Sequence, residues 1–524
     1  MKMKLLTFIF CLFAFISFSQ QYGSYEIDAN GKLFYTATAI HPTDSPENNS
    51  GPSVLELDWS NPDFNVSNNP TKDSWEVRLA VGNGGNAYVV YNDNHSNGLQ
   101  KIMFRKKVVG QEWTAPIFVD TGGEIGGRNN HYPAIAASTN GDLHVVYNVW
   151  AMENVRNYIG YSYYNSATDS WSDGLKISDL GGTVNHTQSH HDIYSTDDNL
   201  PVVVWGYDFR ENNTNEEIYM TYFDGSNWSN DTAVSDVADN LNAGYPYIKS
   251  IGDNMAMIVY AEGAFGSMEL RYRIYDETTH SLSPAKAITS NNIMSNNYVL
   301  ATSGTGEVMV MTIHKAVAPD RDVLQMYDYD HASDSFSLSS NSYEMAANAG
   351  GLLKRIDLDC NEDGECGIVF TDFLAQINTF LDYYPTTGFG SPTIINQENP
   401  GLDAPSARFD TDGNLHVVWS DYRFDDGQGF DEREIFYEKG INTNLSTATN
   451  SIGNISVYPN PSDGIFTVAI DSPCTLEIVD ILGKRIGIQS LTGTTQVATS
   501  LAPGTYFLRF SNEKGTEVKK LLVK

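Results

Sequence analysis

From residue 75 to residue 440 the chain repeats one pattern: a Gly, Asp or Asn turn, then a short apolar run. The copies read GGNAYVVYN, NGDLHVVYN, DDNLPVVVWG, GDNMAMIVYA, GTGEVMVMTI, EDGECGIVFT and DGNLHVVWSD. Short apolar runs bounded by turn residues predict buried strands. Landmark side chains Tyr91, Tyr147, Trp205, Tyr260, Met311, Phe370 and Trp419 recur at intervals of about 55 residues, a period that fits propeller blades. Each unit adds an inner strand before the turn (HYPAIAAS, PSARFD) and an outer strand after the landmark (YIGYSYY, IYMTYF, LRYRIY, EIFYEKG). Several then carry a Trp-centred hairpin: GQEWTAP, DSWSDG, GSNWSND. The expected fold is all-β, a seven-bladed β-propeller over residues 20–440.

The last unit stops at EIFYEKG, ahead of the linker 441–451, and lacks a fourth strand. GKLFYTATAI, residues 31–40, is a spare strand of the right length. It is expected to complete the seventh blade, because an open ring would leave long unpaired edges. The tryptophans are expected to pack blades. The Asp/Asn-rich inner turns, including Asp359 to Gly364, read as hairpin chemistry rather than calcium loops, since Phe370 stands where a closing Glu would be needed.

The two ends carry addresses. Lys2 and Lys4, an apolar run from Leu5 to Ile16 and Ser17-Phe18-Ser19 have the layout of a signal peptide cleaved after residue 19. That run is too short for a membrane span, and no later segment reaches ~18 uninterrupted apolar residues. At the other end, SVYPNPSDGIFTVAI, LEIVDILGKRI, LAPGTYFLRF and KKLLVK resemble the C-terminal sorting domain of the type IX secretion system of Bacteroidetes-type bacteria. The resemblance covers residues 452–524. It implies a small β-sandwich, export to the cell surface or beyond, and the secretion machinery as a partner.

A formal net charge of −33 argues against nucleic acid, which needs a basic face. Any anionic ligand must therefore be met by a local cluster of cations. Cys360 and Cys366 flank one hairpin turn and suit a disulfide in an oxidising compartment, leaving Cys474 over.

In a propeller, the segments entering the inner strands and leaving the second strands open on one face. Entering segments supply Arg128, Asn130, His131 and Tyr132, then His186, His190 and His191, then Tyr245 and Tyr247, then Lys354 and Arg355. Leaving segments supply His95, Asp208, Arg210, His314, Lys315, Asp421, Tyr422 and Arg423. Basic groups gathered in so acidic a chain suggest a pocket for a carboxylate-bearing ligand.

Residues 75–440 resemble the seven-bladed propeller ulvan lyases and, more loosely, the BNR-repeat sialidase-like proteins. His131, Arg210 and Tyr245 fit the places of the lyases' His, Arg and Tyr. Two positions depart: Val149-Trp150-Ala151 replaces a second His, and His190-His191 stands where a Tyr is expected. The resemblance implies β-elimination on a uronic acid in an anionic polysaccharide or oligosaccharide. Arg210 would neutralise the carboxylate, His131, His190 or His191 would act as base and Tyr245 as acid. His95, Arg128, Asn130, Tyr247 and Arg423 would bind substrate. A departing sugar makes the enzyme a lyase, a departing water a dehydratase. No cofactor is required, and room remains for a structural metal ion. Competing readings are a sialidase-like hydrolase using arginines and a Tyr/Glu pair, a non-catalytic glycan-binding propeller, and a transition-metal site at His186, His190 and His191.

Overall fold

The computed structural model describes residues 23–27, 33–37, 55–69, 73–94, 99–125, 127–151, 156–178, 187–208, 216–239, 241–264, 267–289, 298–304, 306–315, 322–344, 356–372, 377–385, 388–395, 403–421, 433–443, 455–470, 473–480, 484–499, 501–512 and 515–524. The chain divides into two units, Met1–Thr443 and Asn444–Lys524.

Besides one two-stranded hairpin, the described residues of the first unit form seven antiparallel blade sheets; six run in chain order from an inner to an outer strand, and the seventh takes its outer strands from an earlier segment. The inner strands of blades one to seven are Ser74–Gly82, Asn129–Ala137, Thr187–Ser195, Asn242–Gly252, Tyr298–Thr302, Ile356–Cys360 and Asp403–Phe409. All seven landmark side chains are buried, because the second strand of each blade lies between two others and packs on both faces. The hairpin tryptophans pack against the preceding blade. Trp113 meets Tyr437 edge-on at 5.0 Å, Trp171 meets Phe104 at 5.0 Å, and Trp228 meets Tyr161 at 4.9 Å.

A second repeated device stitches the blades. In four blades an aliphatic residue followed by a hydroxyl residue leaves the outer strand, and the hydroxyl accepts a third-strand N–H. Ser178 takes Ile159 N at 2.9 Å, Ser235 takes Ile218 N at 2.8 Å, Thr289 takes Leu270 N at 3.1 Å and Ser67 takes Ile435 N at 2.8 Å. Ser67 belongs to the segment that closes the ring. Leu57–Asp58 pairs with Ile441 and Asn442, and Phe64–Asn65 pairs with Phe436 and Tyr437, so these short strands complete blade seven. The expectation for residues 31–40 is thereby corrected. Leu33–Ala37 pairs instead with Gly23–Ile27 in a separate hairpin. Length alone pointed to 31–40, whereas Val66-Ser67 carries the stitch that binds an outer strand to its blade. Blade seven then packs on blade one through Val66, Val418, Ile435 and Tyr437 against Val77 and Leu79, and Leu79 N–H donates to Ser406 Oγ at 3.3 Å.

Cys360 and Cys366 are disulfide-bonded directly across their hairpin. The turn between them is capped internally: Asn361 Oδ1 accepts the N–H groups of Asp363 and Glu365 at 3.0 and 2.9 Å. Asp410 caps the blade-seven turn in the same way, accepting from Asp412 and Asn414. These oxygens serve the turns, as hairpin chemistry requires.

The second unit is a pair of sheets. One contains Ile455–Tyr458, Ile465–Ile470 and Thr495–Ala498, the other Arg485–Leu491, Cys474–Asp480, Gly504–Asn512 and Gly515–Val523. They share a core of Phe466, Val468, Leu476, Leu508, Phe510 and Leu521.

Candidate active site

The inner strands of blades one to four each break register near their entering end. Partner spacing shifts between Trp75 and Arg78, opposite Val146 to Asn148, between Ser189 and His191, and between Gly244 and Tyr247. At each bulge one bulky residue takes left-handed backbone: Glu76 (φ 54°), Tyr132 (φ 54°), His190 (φ 45°) and Tyr245 (φ 58°). A Cβ in that region costs about 1–2 kcal/mol, so glycine or asparagine would be the inexpensive choice. Four neighbouring blades instead place Glu, Tyr, His and Tyr there. Strain held by side chains with acid–base chemistry marks a candidate functional site.

Surrounding groups fix the arc. Asn92, fully buried in blade one, donates to Asn130 O at 2.6 Å and accepts Tyr132 N–H at 3.0 Å. Glu76 accepts the same N–H at 2.9 Å and also hydrogen-bonds the Tyr132 hydroxyl. Burial, then the Glu76 charge, raises the Tyr132 pKa. The Tyr245 backbone carbonyl accepts the Tyr298 hydroxyl of blade five. His190 and Tyr245 lie ring against ring, centroids 4.0 Å apart and planes tilted by 48°.

His190 and Tyr245 meet, and His190 is exposed. His131 and His191 do not stand at the mouth as expected. Each is next to a bulge residue, and neighbouring strand positions face opposite ways. His131 is 7% exposed, its Nε2 shielded without a hydrogen-bond partner; His191 is half-buried, with both ring nitrogens shielded from solvent. Burial pushes both down to about 4, with the Arg78 charge adding to the effect at His191, so both are neutral at neutral pH. Asn130 is also corrected. It is fully buried and its amide donates to Asp120, so it supports the bulge rather than touching a ligand. Tyr247 is half-buried, edge-on to Tyr298 at 5.4 Å, with its pKa pushed up to about 12 by burial. Arg128 is half-buried in the segment entering blade two. Arg210, His95, Arg423 and His186 lie outside the described residues. Among the described residues no group of three His, Cys, Asp or Glu converges as a metal set.

Sequence reasoning missed Glu76 and Arg78. Arg78 is exposed, and its guanidinium reaches Val77 O at 2.8 Å while acting electrostatically on His191 and Tyr247. The signal was available as spacing. Glu76 to Tyr91, Tyr132 to Tyr147, His190 to Trp205 and Tyr245 to Tyr260 are all steps of 15 residues.

Residues 456–524 match the family described as secretion system C-terminal sorting domain. No curated protein matches the chain. Among solved structures, a protein of unknown function from Dyadobacter fermentans is 11% identical over 72% of this chain and 98% of its own, with a TM-score of 0.45. The Hadza microbial sialidase Hz136 is 10% identical over 72% of this chain and 68% of its own, TM-score 0.43. The GH93 α-L-arabinofuranosidase of Fusarium graminearum is 10% identical over 74% of this chain and 98% of its own, TM-score 0.42. The chain thus ends in the sorting domain of type IX secretion, which addresses it to the cell surface or the extracellular space.

Proposed function

We propose that the propeller unit is a glycan-active enzyme working on a carboxylate-bearing polysaccharide or its oligosaccharides, with its chemistry at the arc Glu76, Tyr132, His190 and Tyr245. One observation carries this reading: four consecutive blades hold proton-transferring side chains in left-handed backbone at the same bulge. Blade packing has no use for that strain. A non-catalytic glycan-binding propeller would need no acid or base there.

The finer reading is β-elimination. The proton beside a uronate carboxylate becomes acidic only when a cation neutralises the carboxylate, a role for the planar guanidinium of Arg210, assisted by Arg78. His190 is the base, since it is exposed, whereas His131 is buried and His191 is half-buried with both ring nitrogens shielded. Tyr245, in contact with it, protonates the departing oxygen. A leaving sugar gives a lyase and a leaving water a dehydratase.

The contact between Glu76 and Tyr132 favours a second reading, glycoside hydrolysis. Tyr132 would attack the anomeric carbon while Glu76 takes the phenolic proton; the glycosidic C–O bond would break, the departing oxygen taking a proton from water, and a second water would then hydrolyse the tyrosyl–sugar bond. Incubation with a panel of uronic- and sialic-acid glycans separates the readings. Fragments carrying unsaturated-uronate absorbance mean lyase. Loss of one water at constant chain length means dehydratase, and saturated fragments with one added water mean hydrolase. No product from any acidic glycan would refute the proposal.

A further inference from the structure

We infer that Trp150 and Tyr132 form an aromatic platform that seats a pyranose ring of the glycan beside the reacting residue, a determinant of substrate length and sugar stereochemistry; this rests on the proposed glycan-active reading. Trp150 ends the second strand of blade two, where it pairs with Asn129 and Asn157. The second strands leave the sheets on the face where the bulged residues enter, so Trp150 belongs to the same mouth. It is 46% exposed, although indole is among the side chains that lose most by facing water. Its ring lies 4.7 Å from His131, centroid to centroid, and His131 lies 6.0 Å from the ring of Tyr132, itself 55% exposed. The buried imidazole is thus a spacer between two exposed aromatic rings.

The other described tryptophans of the hairpins are spent on the preceding blade: Trp113, Trp171 and Trp228 each pack on an aromatic ring there. Trp150 has no such duty. Its described ring contact is His131, inside the site. A pyranose whose substituents are mostly equatorial presents a face of axial C–H groups, apolar and slightly positive, which suits the negative face of an indole. Its hydroxyls remain at the rim for polar partners. The occupant is therefore a pyranosyl unit next to the scissile one, and a sugar with a bulky axial substituent on that face is rejected. His131 acts through Trp150 and Tyr132 as a positioning residue, its neutral state keeping charge away from the indole.

The experiment uses the full chain, with oligosaccharides of increasing length prepared from a glycan the protein cleaves. Trp150→Ala should raise KM at least tenfold for oligosaccharides but change it far less for an aryl glycoside that lacks the neighbouring sugar, and Trp150→Tyr should restore most of the loss. Tryptophan fluorescence should change when long oligosaccharides bind, and that change should vanish in Trp150→Tyr although binding persists. An unchanged length dependence of KM in Trp150→Ala, with wild-type melting, would overturn the platform and leave the proposed activity standing. Absence of any acidic-glycan turnover in the wild-type protein would overturn both.

Discussion

The left-handed bulges make a quantitative prediction that reverses an ordinary rule. In most contexts replacing Ala by Gly destabilises a protein, since glycine gives the unfolded chain about 0.4–1 kcal/mol more conformational freedom to lose. At Tyr132, with φ at 54°, the folded state of an Ala variant also carries the Cβ penalty of about 1–2 kcal/mol. Tyr132→Gly should therefore be more stable than Tyr132→Ala, by about 0.5–1 kcal/mol after subtracting the entropic term. Both variants lose the same half-exposed ring, so its packing cancels from the comparison. Both keep the backbone N–H that Glu76 and Asn92 accept. The same order should hold at Glu76 and Tyr245, where φ is 54° and 58°. Urea denaturation of the three Gly/Ala pairs measures the difference directly, and turnover of the same variants shows whether the strained positions are those that catalysis uses. If Ala is the more stable member at all three positions, the backbone is not left-handed there. The argument from strain to function would then fall.

Other outcomes follow from the same geometry. His131 and His191 have pKa values held near 4, below the usual ~6.5 of the unfolded chain, so the unfolded state binds more protons between those values. Stability should be complete above about pH 6.5 and fall as the pH drops towards 4, by roughly 1–2 kcal/mol per histidine at pH 5; thermal melts across that range that stay flat would contradict it. Ser67→Ala removes the hydroxyl that accepts Ile435 N–H and contacts Glu434, and should cost about 1–3 kcal/mol while speeding amide exchange at the blade-seven seam. Arg210→Ala and Tyr245→Phe should each lower turnover by ~10² or more with binding less affected, and near-normal rates in both would exclude elimination. Deleting residues 456–524 should leave a folded propeller retained inside the outer membrane, and normal surface delivery would show that the sorting tail is dispensable.

The repeat was legible without coordinates, because each second strand is buried on both faces and must be written as a short apolar run between turn residues. Seven such runs, ending in Tyr91, Tyr147, Trp205, Tyr260, Met311, Phe370 and Trp419, fixed blade number and order. The sorting tail was legible for a similar reason: its strands and turns occur in a recognisable sequence order. The closing strand was not. An outer strand is short and half-exposed, so its pattern is weak, and length alone pointed to residues 31–40; the decisive feature, Ser67 Oγ meeting Ile435 N–H, joins residues far apart in the chain. The site divided along the same line. Composition located histidines and tyrosines at the strand entrances, but a local sequence does not say which member of His190-His191 faces out. The bulge decided that, turning His190 towards Tyr245 and His191 into the blade. Glu76, whose own stretch DSWEVRLA carries no histidine or tyrosine, became a candidate site residue because packing blade one beside blade two brings its carboxylate to the Tyr132 N–H. Period and composition are local properties written into each blade, whereas the choice of residues that meet depends on bulge geometry and ring closure, which exist only after the sheets have packed.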